Sequence, residues 1–76
     1  MSILSLHPHV FTGTKQTTLS LGRAEVRVPR KPSEDGEYVV TLWIDGKHKP
    51  KADYFTDDFV DACGTARAMC IQAHKG

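Results

Sequence analysis

The sequence predicts an α+β fold, in which a small antiparallel β-sheet of three to four strands carries one C-terminal α-helix on one of its faces. Three observations predict it. Residues 59–73 place apolar and small side chains at steps of three and four, which is the helical period. Residues 37–44 are rich in β-branched and aromatic types, and Asp45-Gly46 follows them as a typical hairpin turn. Residues 23–28 alternate in polarity, as a half-buried strand does.

The predicted helix covers residues 57–73 without a break. We expect Thr56 to be its N-cap, with the carboxylates of Asp57 and Asp58 against the positive end of the helix dipole. The expected buried side is mostly small and comprises Phe59, Ala62, Cys63, Ala66, Met69, Cys70 and Ala73. Phe59 has the largest volume in this set, so its replacement by alanine is expected to cost about 3 kcal/mol if the ring is fully buried.

The strand that returns from the hairpin is predicted over residues 47–55. Pro50 lacks a backbone donor, so this strand is either an edge strand or is broken there. Lys47, Lys49 and Lys51 alternate, which places them on one face where they protect an exposed edge.

The whole chain, residues 1–76, is predicted to be a single domain. Residues 17–21 form a shorter strand candidate, and Gly22 either turns into the next strand or bulges one longer strand. Residues 1–16 have two alternatives, a partly ordered arm and an additional strand. Loop residues 29–36 contain two prolines and a glycine.

The central strand has two chemically different faces. One is the more aliphatic and is expected under the helix; it carries Tyr38, Val40, Leu42 and Ile44. A single helix covers only one face of a sheet, so the other face is expected to stay uncovered. The candidate partner-binding residues lie there and are Val39, Thr41 and Trp43.

The two cysteines are expected to be buried packing residues. Cys63 and Cys70 are seven residues apart, which is about 10.5 Å of rise along a continuous helix and too far for a disulfide. Metal or thiol chemistry is one functional hypothesis for these cysteines, and such a site would add His7 and His9 to the pair. Their spacing is not that of a common zinc motif, so we expect neither a metal nor any other cofactor.

Charge is nearly balanced, with ten Lys and Arg against nine Asp and Glu and a formal net charge of +1. This balance disfavours a strong, sequence-independent polyanion binder. Nucleic-acid binding is nevertheless the alternative function, because basic side chains and one tryptophan could form a stacking and phosphate-contact surface. The residues of this alternative site are Arg23, Arg27, Trp43, Lys47, Lys49 and Lys51.

Enzymatic activity is not expected. The sequence has no nucleophile elbow of the type Gly-x-Ser-x-Gly and no phosphate-binding glycine loop. One helix on a small sheet is also expected to leave little room for a pocket of about 300 Å³, so no small-molecule substrate is expected. No apolar run approaches the roughly 20 residues of a membrane helix, which predicts a cytoplasmic protein.

The sequence therefore does not identify a function, and it favours one hypothesis over the others. The preferred hypothesis is a small non-enzymatic interaction module. Such a module would form a homodimer, or bind another protein, through the face of the sheet that the helix leaves uncovered.

Overall fold

The computed structural model describes residues 8–75, which form a six-stranded antiparallel sheet and one α-helix. In chain order the elements are β1 (His9–Thr12), β2 (Gln16–Leu21), β3 (Ala24–Pro29), β4 (Tyr38–Ile44), β5 (Lys47–His48), β6 (Tyr54–Thr56) and α1 (Phe59–Lys75). The strand order is β1-β2-β3-β4-β5, and β6 pairs with the first half of β4. The α+β fold class is confirmed, and the described sheet has more strands than the three to four predicted.

Two of the additional strands have simple causes. The first, β1, lies within residues 1–16 and pairs in antiparallel register with β2. The second arises because the strand after the hairpin is interrupted: a short 3-10 helix, Pro50–Ala52, separates β5 from β6. The break predicted at Pro50 is therefore confirmed. Lys51 lies inside this 3-10 helix, so the expected alternation of three lysines along one strand is wrong at that position.

Tight turns connect the central strands as their sequences require. Asp45 and Gly46 both have positive φ, 52° and 80°, which confirms the type I′ turn between β4 and β5. Gly22 has φ 61° and turns the chain between β2 and β3, so these are two strands and not one bulged strand. A side chain at Gly22 would also place its Cβ 2.7 Å from Nδ1 of His74, so glycine is required there for space as well.

The helix is continuous through Gly64, as predicted, but it begins two residues later than expected. The N-cap is Asp58, whose Oδ1 accepts from the backbone N–H of Val60 at 2.9 Å. Thr56 cannot take that role because it is still the last residue of β6, paired with Tyr38. Its hydroxyl accepts instead from the backbone N–H of Asp58, at 3.2 Å.

Small side chains hold the helix close to the sheet. The buried core comprises Leu19, Ala24, Val26, Val28, Val40, Ala62, Ala66 and Cys70. It lies between α1 and the face of β4 that carries Val40, Leu42 and Ile44, which confirms the predicted face. Phe59 was expected on the buried side of the helix, and the condition of full burial attached to its cost of about 3 kcal/mol is not met. Phe59 is the first helical residue, 39% exposed, and its ring packs on Tyr38 with centroids 5.2 Å apart.

The helix does not extend over the whole sheet. It contacts β2, β3, β4 and β6. Among the described strands of four or more residues, β1 is the one that has no contact with α1. All four residues of β1 are exposed. The sheet therefore presents two surfaces to its surroundings, a complete face opposite α1 and the projecting edge strand β1.

Candidate functional site: the uncovered face of the sheet

Strand register defines which side chains share the face opposite α1. Trp43 lies opposite Glu25 on β3 and opposite His48 on β5, while Arg27 lies opposite Thr41. Paired residues of antiparallel strands point to the same side. The open face, as we call this surface, therefore comprises His9, Phe11, Gln16, Thr18, Ser20, Glu25, Arg27, Pro29, Val39, Thr41, Trp43, His48 and Phe55.

Trp43 is at the centre of a stacked arrangement. The guanidinium carbon of Arg27 lies 4.0 Å from the indole centroid. The His48 ring stacks on the same indole, with centroids 5.0 Å apart and an interplanar angle of 27°. The indole Nε1–H donates to the hydroxyl of Thr41 at 3.1 Å. Neighbours on both adjacent strands thus fix the orientation of Trp43, and its polar atom is satisfied within the face.

The two polar groups that contact the Trp43 indole, on Arg27 and His48, each lie beside a carboxylate. The Nε–H of Arg27 donates to Oε2 of Glu25. His48 Nε2 lies 2.8 Å from Oδ1 of Asp53. The centre of the open face therefore combines aromatic surface with paired charges and has little net positive field of its own.

Two phenylalanines extend the apolar part of the open face. Phe55 lies opposite Val39 and is 57% exposed, and Phe11 on β1 is 64% exposed. Sequence reasoning missed both. It included Phe55 in the returning strand predicted over residues 47–55 without assigning its face. Tyr54 points to the helix side, where its hydroxyl donates to Asp61 at 2.7 Å. The period of two along β6 then places Phe55 on the opposite side, and this alternation is the signal that could have found it.

The three residues predicted for partner binding lie together on the open face. Val39, Thr41 and Trp43 are half-buried there, at alternate positions of β4. Phe55 is the exposed neighbour of Val39, so the apolar surface is larger than the sequence prediction. Phe11 lies three strands away, at the β1 edge of the same face.

The residues of the alternative nucleic-acid site are not brought together as a set. Arg27 and Trp43 are in contact on the open face. Arg23 lies in the turn between β2 and β3, where its Nε donates to both carboxylate oxygens of Asp45 at 3.0 and 2.9 Å. That hydrogen-bonded guanidinium lowers the pKa of Asp45.

The lysines of this alternative lie elsewhere. Lys47 is opposite Ile44 and therefore on the helix side of the sheet. Lys49 follows β5, and Lys51 lies in the 3-10 helix. Within the described residues, Arg27 is thus the basic member of the predicted set that touches Trp43.

The helix side has a groove that the sequence analysis did not anticipate. It lies between the C-terminal half of α1 and β4, has a volume of about 450 Å³, and is lined by Gly22, Arg23, Leu42, Ile44, Ala73 and His74. A shallower extension of about 300 Å³ continues from Leu42 and Ala73 along Ala68 and Met69. The expectation of little room for a pocket is therefore wrong. It assumed that one helix seals its face, whereas α1 leaves the β4 side partly open.

The two cysteines, Cys63 and Cys70, pack in or against the buried core. Cys70 is fully buried, its Sγ is 3.8 Å from the carbonyl oxygen of Leu19, and burial raises the pKa of its thiol. Cys63 is half-buried, and both are free. His7 lies outside the described residues. Within residues 8–75, no three His, Cys, Asp or Glu side chains form a group that could hold a metal ion.

Across residues 8–75, no helix has the length and apolar character needed to cross a membrane. Comparisons with known protein families, with curated proteins and with solved structures found no match to this chain.

Proposed function

We propose that this chain is a small non-enzymatic interaction module that buries its open face against a protein surface, in the simplest form against the open face of a second copy. The observation that carries the proposal is the presence of apolar side chains on a face that no other element of residues 8–75 covers. Phe55 is exposed there beside the half-buried Val39, Trp43 is half-buried on the same strand as Val39, and Phe11 is exposed at the β1 edge of the face. Exposed apolar surface of this kind marks interaction sites.

The composition of the open face favours a protein partner. Cores of protein interfaces are enriched in aromatic residues and arginine and depleted of unpaired charge. The open face has three aromatic side chains other than histidine, and its arginine is already paired with Glu25. A neutral apolar partner surface could therefore cover it without leaving a charge unpaired.

Trp43 has the properties of an interface anchor. Its ring is held between Arg27 and His48, and its N–H is satisfied by Thr41. An anchor that is already oriented loses little side-chain entropy on binding.

We further propose that the module binds its partner in the cytoplasm.

The proposal is tested by the molar mass of the native chain and by what co-purifies with it. A dimer that buries the open face, or a stable complex with another protein, is expected. Val39→Lys should disrupt either one, because it places a charge beside Phe55 in the apolar part of the open face. Val60→Lys is the matched control, since Val60 is 78% exposed on α1 and away from the open face. A wild-type monomer of 8.4 kDa that co-purifies with nothing would contradict the proposal.

Nucleic-acid binding through the open face is a second candidate, favoured by the contact between Arg27 and Trp43 and by the exposed rings of Phe11 and Phe55. Bases stack on such rings, and arginine contacts phosphate. The test is a titration of Trp43 fluorescence with a single-stranded oligonucleotide at low and moderate salt. Binding should weaken steeply with salt. An unchanged signal at low salt would remove this candidate.

A further inference from the structure

The two edges of the sheet are protected differently. At the β5–β6 edge, β5 has two residues, Pro50 starts a 3-10 helix, and Lys47 stands on the strand itself. Short strands, proline and lysine are the devices that prevent edge strands from pairing with other chains. The other edge, β1, has the sequence His-Val-Phe-Thr, without lysine, glutamate, aspartate or proline.

The edge strand β1 also exposes apolar surface on both of its sides. Val10 lies opposite Leu19, on the helix side, and is 55% exposed. Phe11 lies on the open face and is 64% exposed. Because α1 does not contact β1, the helix would not obstruct a further strand beside it.

The backbone of β1 is held in place for pairing. Four residues of β1 are in register with β2, from His9 opposite Ser20 to Thr12 opposite Thr17. The connecting turn is anchored to the sheet, since Arg30 donates from its Nη1 to the carbonyl oxygen of Gly13 at 3.0 Å and from its backbone N–H to that of Lys15. Among the described residues, β1 pairs with β2 alone, so the N–H and C=O groups on its other side form a ready template for another strand.

We propose that β1 pairs antiparallel with β1 of a second copy, so that one continuous sheet runs through both chains. The contrast between the two edges selects this occupant. Pairing β1 with the β5–β6 edge of another copy would build an open chain of molecules, and Lys47 and the 3-10 helix oppose it. Pairing of β1 with itself closes after two copies and brings no charged side chains of the strands opposite each other.

Symmetry restricts the register of this pairing. Two identical antiparallel strands are related by a two-fold axis normal to the sheet, so residues of the same face come opposite each other. Either Val10 then faces Val10 of the second copy, or Phe11 faces Phe11 of the second copy. In both registers the helices lie on one side and the two open faces join on the other. The pairing thus enlarges the open face and does not depend on what that face binds.

The test follows the amides of β1 in the unmodified chain by hydrogen exchange at micromolar and millimolar concentrations. Strand pairing should protect amides within residues 9–12 as concentration rises, in step with a dimer seen by sedimentation equilibrium. A dimer built through the open face would leave the outward amides of β1 unprotected.

A matched pair of variants completes the test. Val10→Lys should weaken dimerisation by about tenfold, because the two lysines lie directly opposite each other in the Val10 register and are diagonal neighbours on the same face in the Phe11 register. Val10→Thr keeps the β-branched shape and should dimerise nearly as the wild type does. Circular dichroism verifies that both variants fold. The inference is overturned if the wild type stays monomeric, if its β1 amides gain no protection, or if Val10→Lys dimerises as well as Val10→Thr.

Discussion

The guanidinium carbon of Arg27 lies 4.0 Å from the centroid of the Trp43 ring, although the two residues are on neighbouring strands and diagonal to each other. A contact at this distance combines attraction between the cation and the ring with packing of the side-chain stem. The diagonal arrangement leaves Glu25, directly opposite Trp43, free to pair with Arg27.

We predict that Arg27→Met destabilises the fold by about 0.5–1 kcal/mol, because methionine keeps the apolar stem but removes the charge over the ring. Trp43 is the only tryptophan, so its fluorescence reports this contact directly, and its emission should shift in the variant. Urea unfolding measures the change in stability. Lys31→Met, in the exposed loop, is the control and should stay within about 0.5 kcal/mol of the wild type. Identical emission spectra for Arg27→Met and the wild type would contradict the contact.

The small side chains of α1 lead to a prediction about packing. Ala66 is fully buried against the sheet, so Ala66→Leu should destabilise the protein by about 1–3 kcal/mol through overpacking. Val60→Leu also enlarges a side chain of the same helix, at a position that is 78% exposed, and should alter stability by less than about 0.5 kcal/mol. Chemical denaturation of both variants measures the change in the free energy of unfolding that each substitution causes. Equal effects would mean that α1 is not seated on the sheet through its alanines.

The hydrogen bond from Tyr54 to Asp61 predicts a pH dependence at both ends of the scale. The Tyr54 hydroxyl lowers the pKa of Asp61, and Asp61 in turn raises the pKa of Tyr54. The lowered carboxyl pKa contributes stability that is present above its ordinary value of about 3.9 and is lost as the pH falls further. The raised phenol pKa contributes stability that is present below about 10 and is lost as the pH rises.

Tyr54→Phe should therefore flatten the dependence of the unfolding free energy on pH in both acid and alkali. Arg23→Met is the comparison variant. It removes the guanidinium that lowers the pKa of Asp45, so it should reduce the acid dependence alone. A Tyr54→Phe profile parallel to that of the wild type at both ends would show that the hydrogen bond is not formed in solution.

The two thiols should react at different rates with an aromatic disulfide reagent. Cys70 is fully buried and its thiol pKa is raised, so little thiolate is available, whereas Cys63 is half-buried. We expect Cys70 to react at least about tenfold more slowly than Cys63 in the native protein, and both to react quickly after unfolding. Cys63→Ser should retain only the slow phase. A fast phase that persists in Cys63→Ser would contradict the burial of Cys70.

Local patterns were sufficient for much of the fold. The Asp45-Gly46 turn and the helical period of residues 59–73 are short-range signals, and both are confirmed. The choice of which face of β4 lies under the helix also followed from alternation alone, because Val40, Leu42 and Ile44 are more aliphatic than their alternate neighbours.

Features that depend on distant contacts were not predictable in the same way. Thr56 and Asp58 are both good N-cap residues, and only the pairing of Thr56 with Tyr38 on β4 decides between them. The exposure of Phe59 depends on where the sheet ends beneath the helix. For the candidate site, Val39, Thr41 and Trp43 could be placed on one face, but the contribution of Phe11 requires the register of β1.

The order of the elements along the chain has a consequence for synthesis on the ribosome. The helix α1 follows all six described strands, and its Cys70 meets Leu19 across 51 residues of sequence. The strands can thus form hairpins as they emerge, but Val26, Val28 and Val40 gain their cover only when α1 has been made. A nascent chain without α1 therefore exposes this aliphatic sheet surface, which makes it a substrate for chaperones that recognise apolar segments.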